Sequence, residues 1–522
     1  MPLSFRSSVA LALGVVLLFS LSSCTLSALE ARESSHAYSL DMVKDTRLGK
    51  SFIHQMEAKP GLSGMRELDD AQEAFAIRAL LTRLAEKSID VQYYIWRNDI
   101  TGMLLLKQLH EAAERGVRVR LLIDDNGIKD LDGVLALLNN HPNLEVRLFN
   151  PFSIRFFKPL NYLTEFGRLN HRMHNKSFTV DNLATIVGGR NIGDEYFGAT
   201  DQEVLFADLD VLAVGAVAQD VSADFDRYWA SPLSYPIDQL VKPKHLAPPS
   251  ILEIDEIAKP NPDRTQRYVA ALKQSDFAQA LVSQQVPLEW VKVEMVSDDP
   301  SKAEGMAQDE QLLTYQLGRA IGEATEHVDL ISPYFVPTKV GVENFSRLVN
   351  DRNIQVRVLT NSYDATDVAV VHAGYVKRRK DIVREGVELY ELKKQSPDNL
   401  IKKKVSPFGS SSGSSLHAKT FTIDDQRVFI GSFNFDPRSA HLNTELGFVI
   451  QSPALAQRIR RIFTEQVPES SYRIQLNEKN KVIWAEKDHE GNEIIHTTEP
   501  GTGFWSRVWV GFLSKLPIEW ML

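Results

Sequence analysis

The sequence predicts an α/β fold made by internal duplication. Three observations carry this. Strand-like and helix-like runs alternate at short spacing, the pattern of βαβ units around a largely parallel sheet. The run VRVRLLI at 117–123 has a counterpart, IQVRVLT, at 354–360. Finally, His174-x-Lys176 followed by Asp181, Gly188-Gly189 and Asn191 recurs in the second half as His417-x-Lys419, Asp424, Gly431, Ser432 and Asn434. One His-x-Lys is a common accident, whereas two copies with the same downstream glycine and asparagine mark a repeat.

At 522 residues the chain has room for two or three domains and ample core. Apolar content of 43% and charged content of 24% are those of a globular protein. A net charge of −9 speaks against a general polyanion binder, so no nucleic-acid partner is expected. The lone cysteine, Cys24, permits no intrachain disulfide. Arg6 and the apolar run 9–21 precede Leu21-Ser22-Ser23-Cys24, which resembles a bacterial lipobox. The run is short for a spanning helix, so 1–23 is expected to be a lipoprotein signal peptide cut before a lipidated Cys24. An uncleaved anchor or an ordinary signal peptide are the other readings. Lipidation implies a membrane-anchored protein of a bacterial cell envelope facing the periplasm. Thr25 resembles an outer-membrane sorting residue, and the choice of inner or outer membrane stays open.

Residues 25–50 are polar and aperiodic, a tether. Apolar residues from Ala74 to Leu84 form one stripe, predicting a helix over 71–87. A strand over 89–96 and a helix over 102–115 follow, with Gly116 as its natural stop. Then come a strand over 117–123, a helix over 131–138 and a strand over 144–149. Residues 152–169 mix five aromatics with Arg155, Lys158 and Arg168. They read either as a buried helix plus loop or as an apolar, basic lip that dips into a lipid surface. Beyond Asn191, residues 206–214 alternate as a strand with Asp208 and Asp210 on one face, and 217–229 is helical. Residues 232–287 read as a connector with one helix near 265–280.

The second half repeats the first. Strands are predicted over 288–296, 328–335, 354–360 and 387–392, with a helix over 309–325. Residues 402–415 (KKKVSPFGSSSGSS) are a basic low-complexity loop, a solvated linker or a mobile lid. Runs at 472–476 and 482–485 suggest a hairpin closed near Glu490-Gly491-Asn492. Phe504, Trp505, Val508, Trp509, Phe512, Leu513 and Leu516 lie on one helical stripe, ended by Pro517. That tail is either docked on the core or seated at a membrane interface. The expected organisation is signal peptide 1–23, tether 24–65, first lobe 66–240, connector 241–287, second lobe 288–468, and C-terminal hairpin with amphipathic tail 469–522.

Histidine is nucleophilic near neutral pH without heavy activation. A phosphate ester held by Lys176, Lys419, Asn191 and Asn434 would have its charge balanced without a metal, so no metal and no cofactor is expected. One histidine can attack phosphorus; the other can protonate the leaving alcohol and deprotonate the incoming one. Asp181 and Asp424 complete the motif, shaping its turn or supporting it. His171 and His174 have ligand-like spacing, but the segment reads as a strand. His110, His141 and His372 are expected to be structural, His372 with the option of lining a pocket.

The paired His-x-Lys-x4-Asp pattern with Gly-x-x-Asn resembles the phospholipase D superfamily over residues 70–465. Further stretches, among them VQYYIWRNDITG, LNHRMHNKSFTVD, ATDVAVVHAGYVKRR and LPIEWML, resemble bacterial cardiolipin synthases of the third type. The resemblance implies two duplicated α/β/α lobes with one active site at their interface. It implies phosphatidyl transfer between two phospholipids, giving cardiolipin through a phosphohistidine. The catalytic set it carries over is His174, Lys176, Asp181, His417, Lys419 and Asp424, with His174 as nucleophile by motif position. Asp210 and Glu445 are placed by analogy to orient a histidine. Phospholipids and a membrane surface, met through Cys24 and the tail, are the expected partners; partner proteins stay open. A hydrolytic phospholipase D, a periplasmic phosphodiesterase or nuclease, and a non-enzymatic lipid scaffold are the rival readings.

Overall fold

Seven strands recur in the same spatial order in both halves of the chain. In the first half the order is 63–68, 210–215, 184–188, 177–180, 88–93, 118–124 and 144–149. In the second it is 293–297, 446–451, 427–431, 419–423, 327–331, 355–361 and 388–392. The computed structural model describes residues 26, 28–198, 205–241, 280, 286–366, 368–394, 414–488 and 490–522. Cys24 and the expected signal peptide lie outside the described residues, as do most of the connector with its helix and 402–413 of the basic loop. Among the described residues no helix is long and apolar enough to cross a membrane.

Each sheet is mixed, which corrects the expectation of a largely parallel one. Only 88–93, 118–124 and 144–149 run parallel in the first lobe, and only 327–331, 355–361 and 388–392 in the second. The helix at Ile100–Glu114 supplies the first crossover that parallel pairing requires. Asp99 caps its start by accepting the Gly102 N–H, and Gly116 at φ +90° ends it. The strands that follow each His-x-Lys are instead half of a hairpin, Ser177–Val180 with Ala184–Gly188 and Lys419–Ile423 with Arg427–Gly431. Hairpins pair antiparallel, so the motif itself breaks the parallel order.

Other expectations are revised. The expected tether is partly folded: Arg47–Ala58 is a helix whose Leu48 and Phe52 join the first lobe's core, and Ser63–Leu68 is a strand of its sheet. The run 288–296 is not one strand: Glu289–Val291 pairs with the first sheet and Val293–Ser297 with the second. One extended segment thus stitches the lobes together. The helix expected over 309–325 divides into a 3₁₀ turn, Asp309–Gln311, and an α-helix, Leu313–Ile321. Glu490-Gly491-Asn492 closes a second hairpin, not the first; strands 471–476, 482–487 and 493–496 all extend the second sheet.

The lobes share a core. Val187, Leu209 and Val211 from the first pack in one cluster with Leu416, Ala418, Ile430 and Leu446 from the second. Main-chain pairing crosses the same seam twice, with Leu205–Ala207 parallel to Ser414–Leu416 and Met173 bridged to Thr444.

The duplication extends to buried charge. Arg120 grips Asp90 at 2.7 and 2.9 Å, and Arg357 grips Asp329 at 2.6 and 2.7 Å, each pair between the first two parallel strands of its lobe. Losing Asp329 strands Arg357 in the interior, whereas Arg120 has a second carboxylate, Asp226, at 2.7 Å. Asp329→Ala is expected to destabilise its lobe by about 3–5 kcal/mol, and Asp90→Ala by less. A shift of the urea midpoint read separately on each lobe checks this; unchanged midpoints would refute it.

Candidate active site

Both histidines stand where the chain enters a motif hairpin, and each is fixed by the opposite lobe. His174 Nδ1 lies 2.8 Å from Glu445 Oε2, and His417 Nδ1 lies 2.6 Å from Asp208 Oδ2. The main chain dictates the crossing. His174 N–H donates to Thr444 O while Thr444 N–H donates to Arg172 O, which sets Glu445 beside His174. The parallel pairing of Leu416 with Ala207 sets Asp208 beside His417 in the same way.

This corrects the assignment of Asp210 as a histidine-orienting group. Asp210 accepts from Arg78 at 2.7 Å and lies 3.4 Å from Arg190, with no contact to either histidine. The reason is register. Gly188 pairs with Asp210 as Gly431 pairs with Gly447, so the residue equivalent to Glu445 is two positions earlier, Asp208. Alternation alone could not separate the two acids, because both sit on one face. Gly188 and Gly189 make room for them; a Cβ there would meet Asp210 Oδ1 at 2.2 Å and Asp208 Oδ1 at 2.1 Å.

Asp181 and Asp424 also leave the reacting set. Asp181 accepts the backbone N–H groups of Glu86, Lys87 and Ser88. Asp424 accepts those of Thr325, Glu326 and His327. Both take positive φ, 52° and 54°, at the first central position of a tight hairpin turn, a conformation aspartate tolerates. Their carboxylates therefore fasten the motif hairpin to the start of the neighbouring parallel strand.

The lysines are buried with the histidines. Lys176 Nζ donates to His174 O at 2.6 Å, and Lys419 Nζ donates to His417 O. Lys419 Nζ is also 3.0 Å from His417 Nδ1. Because that nitrogen's proton goes to Asp208, it has no lone pair for the lysine, and the carbonyl is the acceptor. Tyr94 sets its ring edge-on to His174 at 5.0 Å, and Tyr196 does the same to His417 at 5.3 Å. Sequence reasoning assigned neither tyrosine nor Asp208 a role, although all three lie close to quoted motif residues. Asn191 is spanned, accepting from Ile95 N–H and donating to Tyr196 Oη. Asn434 Oδ1 is buried without a hydrogen-bond partner, so that amide keeps capacity for a ligand. His372 lines no such site; it pairs with Glu499 at 2.8 Å in a buried cluster with Arg379.

Burial dominates the electrostatics. It drives His174 well below the ordinary imidazole range, and Lys176, Lys419 and His417 push it the same way. Burial also lowers His417 and, against the pull of Glu445, brings Lys176 down to about 7. Glu445 rises to about 7 for the same reason, whereas His417, Lys419 and Arg190 hold Asp208 below the usual carboxylate range despite its burial. Both histidines are thus neutral at pH 7, with Nδ1–H on a carboxylate and the lone pair on Nε2. A bound phosphodiester would add negative charge beside Lys176 and Glu445 and favour the protonated form of both.

The sign of a pH effect follows. At pH 8 Lys176 is mostly neutral and Glu445 mostly ionised; a bound anion raises both pKa values, so binding takes up protons. At pH 6 both groups already carry theirs and uptake vanishes. Calorimetry of inorganic phosphate binding in two buffers of different ionisation enthalpy is expected to show uptake at pH 8 that Lys176→Met reduces. Equal uptake at both pH values would contradict this.

Known proteins match this arrangement. A family model described as cardiolipin synthase, PLD-like domain, matches residues 79–229 and again 317–467. Cardiolipin synthase C of Escherichia coli (strain K12) is 48% identical over 91% of this chain and 100% of its own length. An uncharacterized protein of Helicobacter pylori is 35% identical over 90% of this chain and 92% of its own. The crystal structure of phosphatidylserine synthase from Haemophilus influenzae Rd KW20 superposes with a TM-score of 0.53 at 14% identity, covering 81% of this chain and 92% of that one. Matched in both halves, with one histidine and one carboxylate crossing from each, the chain belongs to the phospholipase D superfamily, in the family of cardiolipin synthases with PLD-like domains.

Proposed function

We propose that this protein is a phosphatidyltransferase that makes cardiolipin from two phospholipids. The observation that carries the reading is the pair of buried histidines, each with Nδ1 held by the opposite lobe's carboxylate, in a chain 48% identical to a cardiolipin synthase. His174 Nε2 attacks phosphorus of the first lipid, forming a P–N bond as the P–O bond to the head alcohol breaks. His417, which the substrate's negative charge and the ionised Asp208 let carry a proton on Nε2 as well as Nδ1, gives that Nε2 proton to the leaving alkoxide and becomes neutral. It then takes one from the head-group hydroxyl of the second lipid, whose oxygen attacks phosphorus and releases His174. Lys176, Lys419 and Asn434 neutralise the phosphoryl oxygens, and Asn191 holds Tyr196 against His417.

The unequal carboxylates support this order of histidines. Asp208 stays ionised and stabilises an imidazolium at His417, as an acid/base needs. His174, the more strongly depressed, is kept neutral for attack.

With phospholipid vesicles, His174→Ala and His417→Ala are each expected to lower turnover by roughly 10³-fold. With a para-nitrophenyl phosphodiester, whose leaving group needs no acid, His417→Ala is expected to give a burst and a trapped acid-labile phosphoenzyme, and His174→Ala neither. The reverse pattern would exchange the roles. Mass spectrometry of the lipid products checks the reaction itself, and phosphatidic acid as sole product would replace transfer by hydrolysis.

The reading includes a lipid anchor at Cys24 and a periplasm-facing site, supported by Leu21-Ser22-Ser23-Cys24 after a short apolar run. Cys24→Ser is expected to abolish incorporation of labelled palmitate. Undiminished labelling would refute the anchor.

A further inference from the structure

Two apolar segments far apart in sequence meet at one arginine, Arg438. The first is 155–168. Phe156 is 88% exposed, Leu163 81% and Phe157 54%. All four charged side chains of the segment are tied locally or turned inward. Arg155 pairs with Asp125 and Asp132, and Lys158 pairs with Asp125 at 2.9 Å. Arg168 pairs with Glu165 and donates to Asn150. Buried Asn161 laces the loop, accepting from Ile154 N–H and donating to Ile154 O and Lys158 O. This is a rigid loop built to point aromatic groups outward, and the structure corrects the reading of the lip as basic.

The second segment is the helix Phe504–Leu513 and its continuation. Val510 and Leu513 are buried against Ala373. The opposite face shows Phe504, Trp505, Val508, Trp509 and Phe512, with Trp505 78% exposed. Docking on the core and exposing an aromatic stripe are therefore both true of this helix, on different faces. Arg507 is turned back to Thr502 O, and Glu519 is held by Lys377 and Arg378.

Arg438 joins the two. Its Nη1 and Nη2 donate to Asn170 O and Oδ1, its Nε donates to Met521 O, and its backbone N–H donates to Leu522 O. Asn170 follows the first segment as the C-cap of the helix Phe166–Leu169, four residues before His174, and Arg438 lies four residues after Asn434. The lip also reaches the site directly. Tyr162 Oη donates to Asn126 Oδ1, Asn126 Nδ2 donates to Tyr94 Oη, and Tyr94 packs on His174.

We infer that 155–170 and 504–522, clamped by Arg438, form one apolar collar that seats the active-site mouth into the acyl region of a lipid bilayer. The inference rests on the transferase reading, since substrates confined to a bilayer must reach a buried site without crossing water. It deepens that reading by making the seat apolar rather than electrostatic. A protein partner would be expected to meet a polar rim around its apolar centre; the lip offers no outward charge, and the tail adds only exposed Lys515.

The test uses the full-length chain in vesicles containing brominated phosphatidylcholine, which quenches tryptophan within the acyl region. Wild type is expected to be quenched. Trp505→Phe/Trp509→Phe/Trp520→Phe keeps the apolar stripe but should lose most of the quenching, and adding Phe156→Trp should restore it. The signals should persist from about 0.1 M to about 1 M NaCl, over which the Debye length falls from ~10 to ~3 Å. Phe156→Ser/Leu163→Ser should lower turnover of vesicle lipid by roughly 10-fold while bis(para-nitrophenyl) phosphate turnover stays within about twofold. Absence of quenching from either segment, or its loss at high salt, overturns the collar. So does conversion of a dimer to a monomer by Phe156→Ser without quenching, which would assign the surface to a second copy. Quenching needs no turnover, so quenching with hydrolysis alone would overturn the transferase reading and leave the collar standing.

Discussion

Each histidine of this site is held by a carboxylate from the other lobe, and the rest of the structure follows from that exchange. A histidine held only within its own lobe would leave the lobes free to separate. Here His174 depends on Glu445, and His417 on Asp208. The pairing needs the main chains to lie in register across the seam, which the Met173–Thr444 bridge and the Leu205–Ala207/Ser414–Leu416 pair provide. It also needs a dry seam, because a carboxylate in water would orient an imidazole weakly. The shared apolar cluster supplies that dryness. One gene duplication thus yields a single catalytic centre rather than two.

Burial in the seam has a cost that the chemistry uses. Two lysines, two histidines and two acids are removed from water together; burial pushes both histidines, Lys176 and Glu445 toward their neutral forms, while the surrounding cations keep Asp208 ionised. A phosphodiester would restore charge to Lys176 and strengthen every interaction around it, so substrate binding and electrostatic preparation become one event. The same economy appears at the collar, where the basic residues of 155–168 are consumed internally and only the apolar groups remain outside.

Much of this was legible in the chain. The two His-x-Lys patterns, their glycines and asparagines, and the matching strands 118–124 and 355–361 all lie close in sequence to the features that define them. Local periodicity reports such things well: the strand Leu144–Phe149 has the predicted bounds, and the helix at Ile100–Glu114 stops at Gly116 as expected. Misreadings arose where a partner lay far away. Asp208 and Asp210 share one face of an extended segment, and only pairing with Gly188 distinguishes them. The 288–296 run looks continuous because both its halves are strand; that they belong to different sheets is a property of their neighbours. Arg155 and Lys158 read as surface charge until Asp125, some thirty positions earlier (|i−j| = 30 and 33), is seen to take both.

By itself, the sequence determined that there are two copies of one unit, which residues could attack or bind a phosphate, and where apolar side chains exceed what a core requires. These are matters of residue type and short-range spacing. Only the tertiary structure decided which acid serves which histidine, to which strand the motif aspartates fasten their turns, and that the lip and the tail converge on Arg438. Those are decided by strand register and by contacts between distant segments, and no local pattern encodes a register.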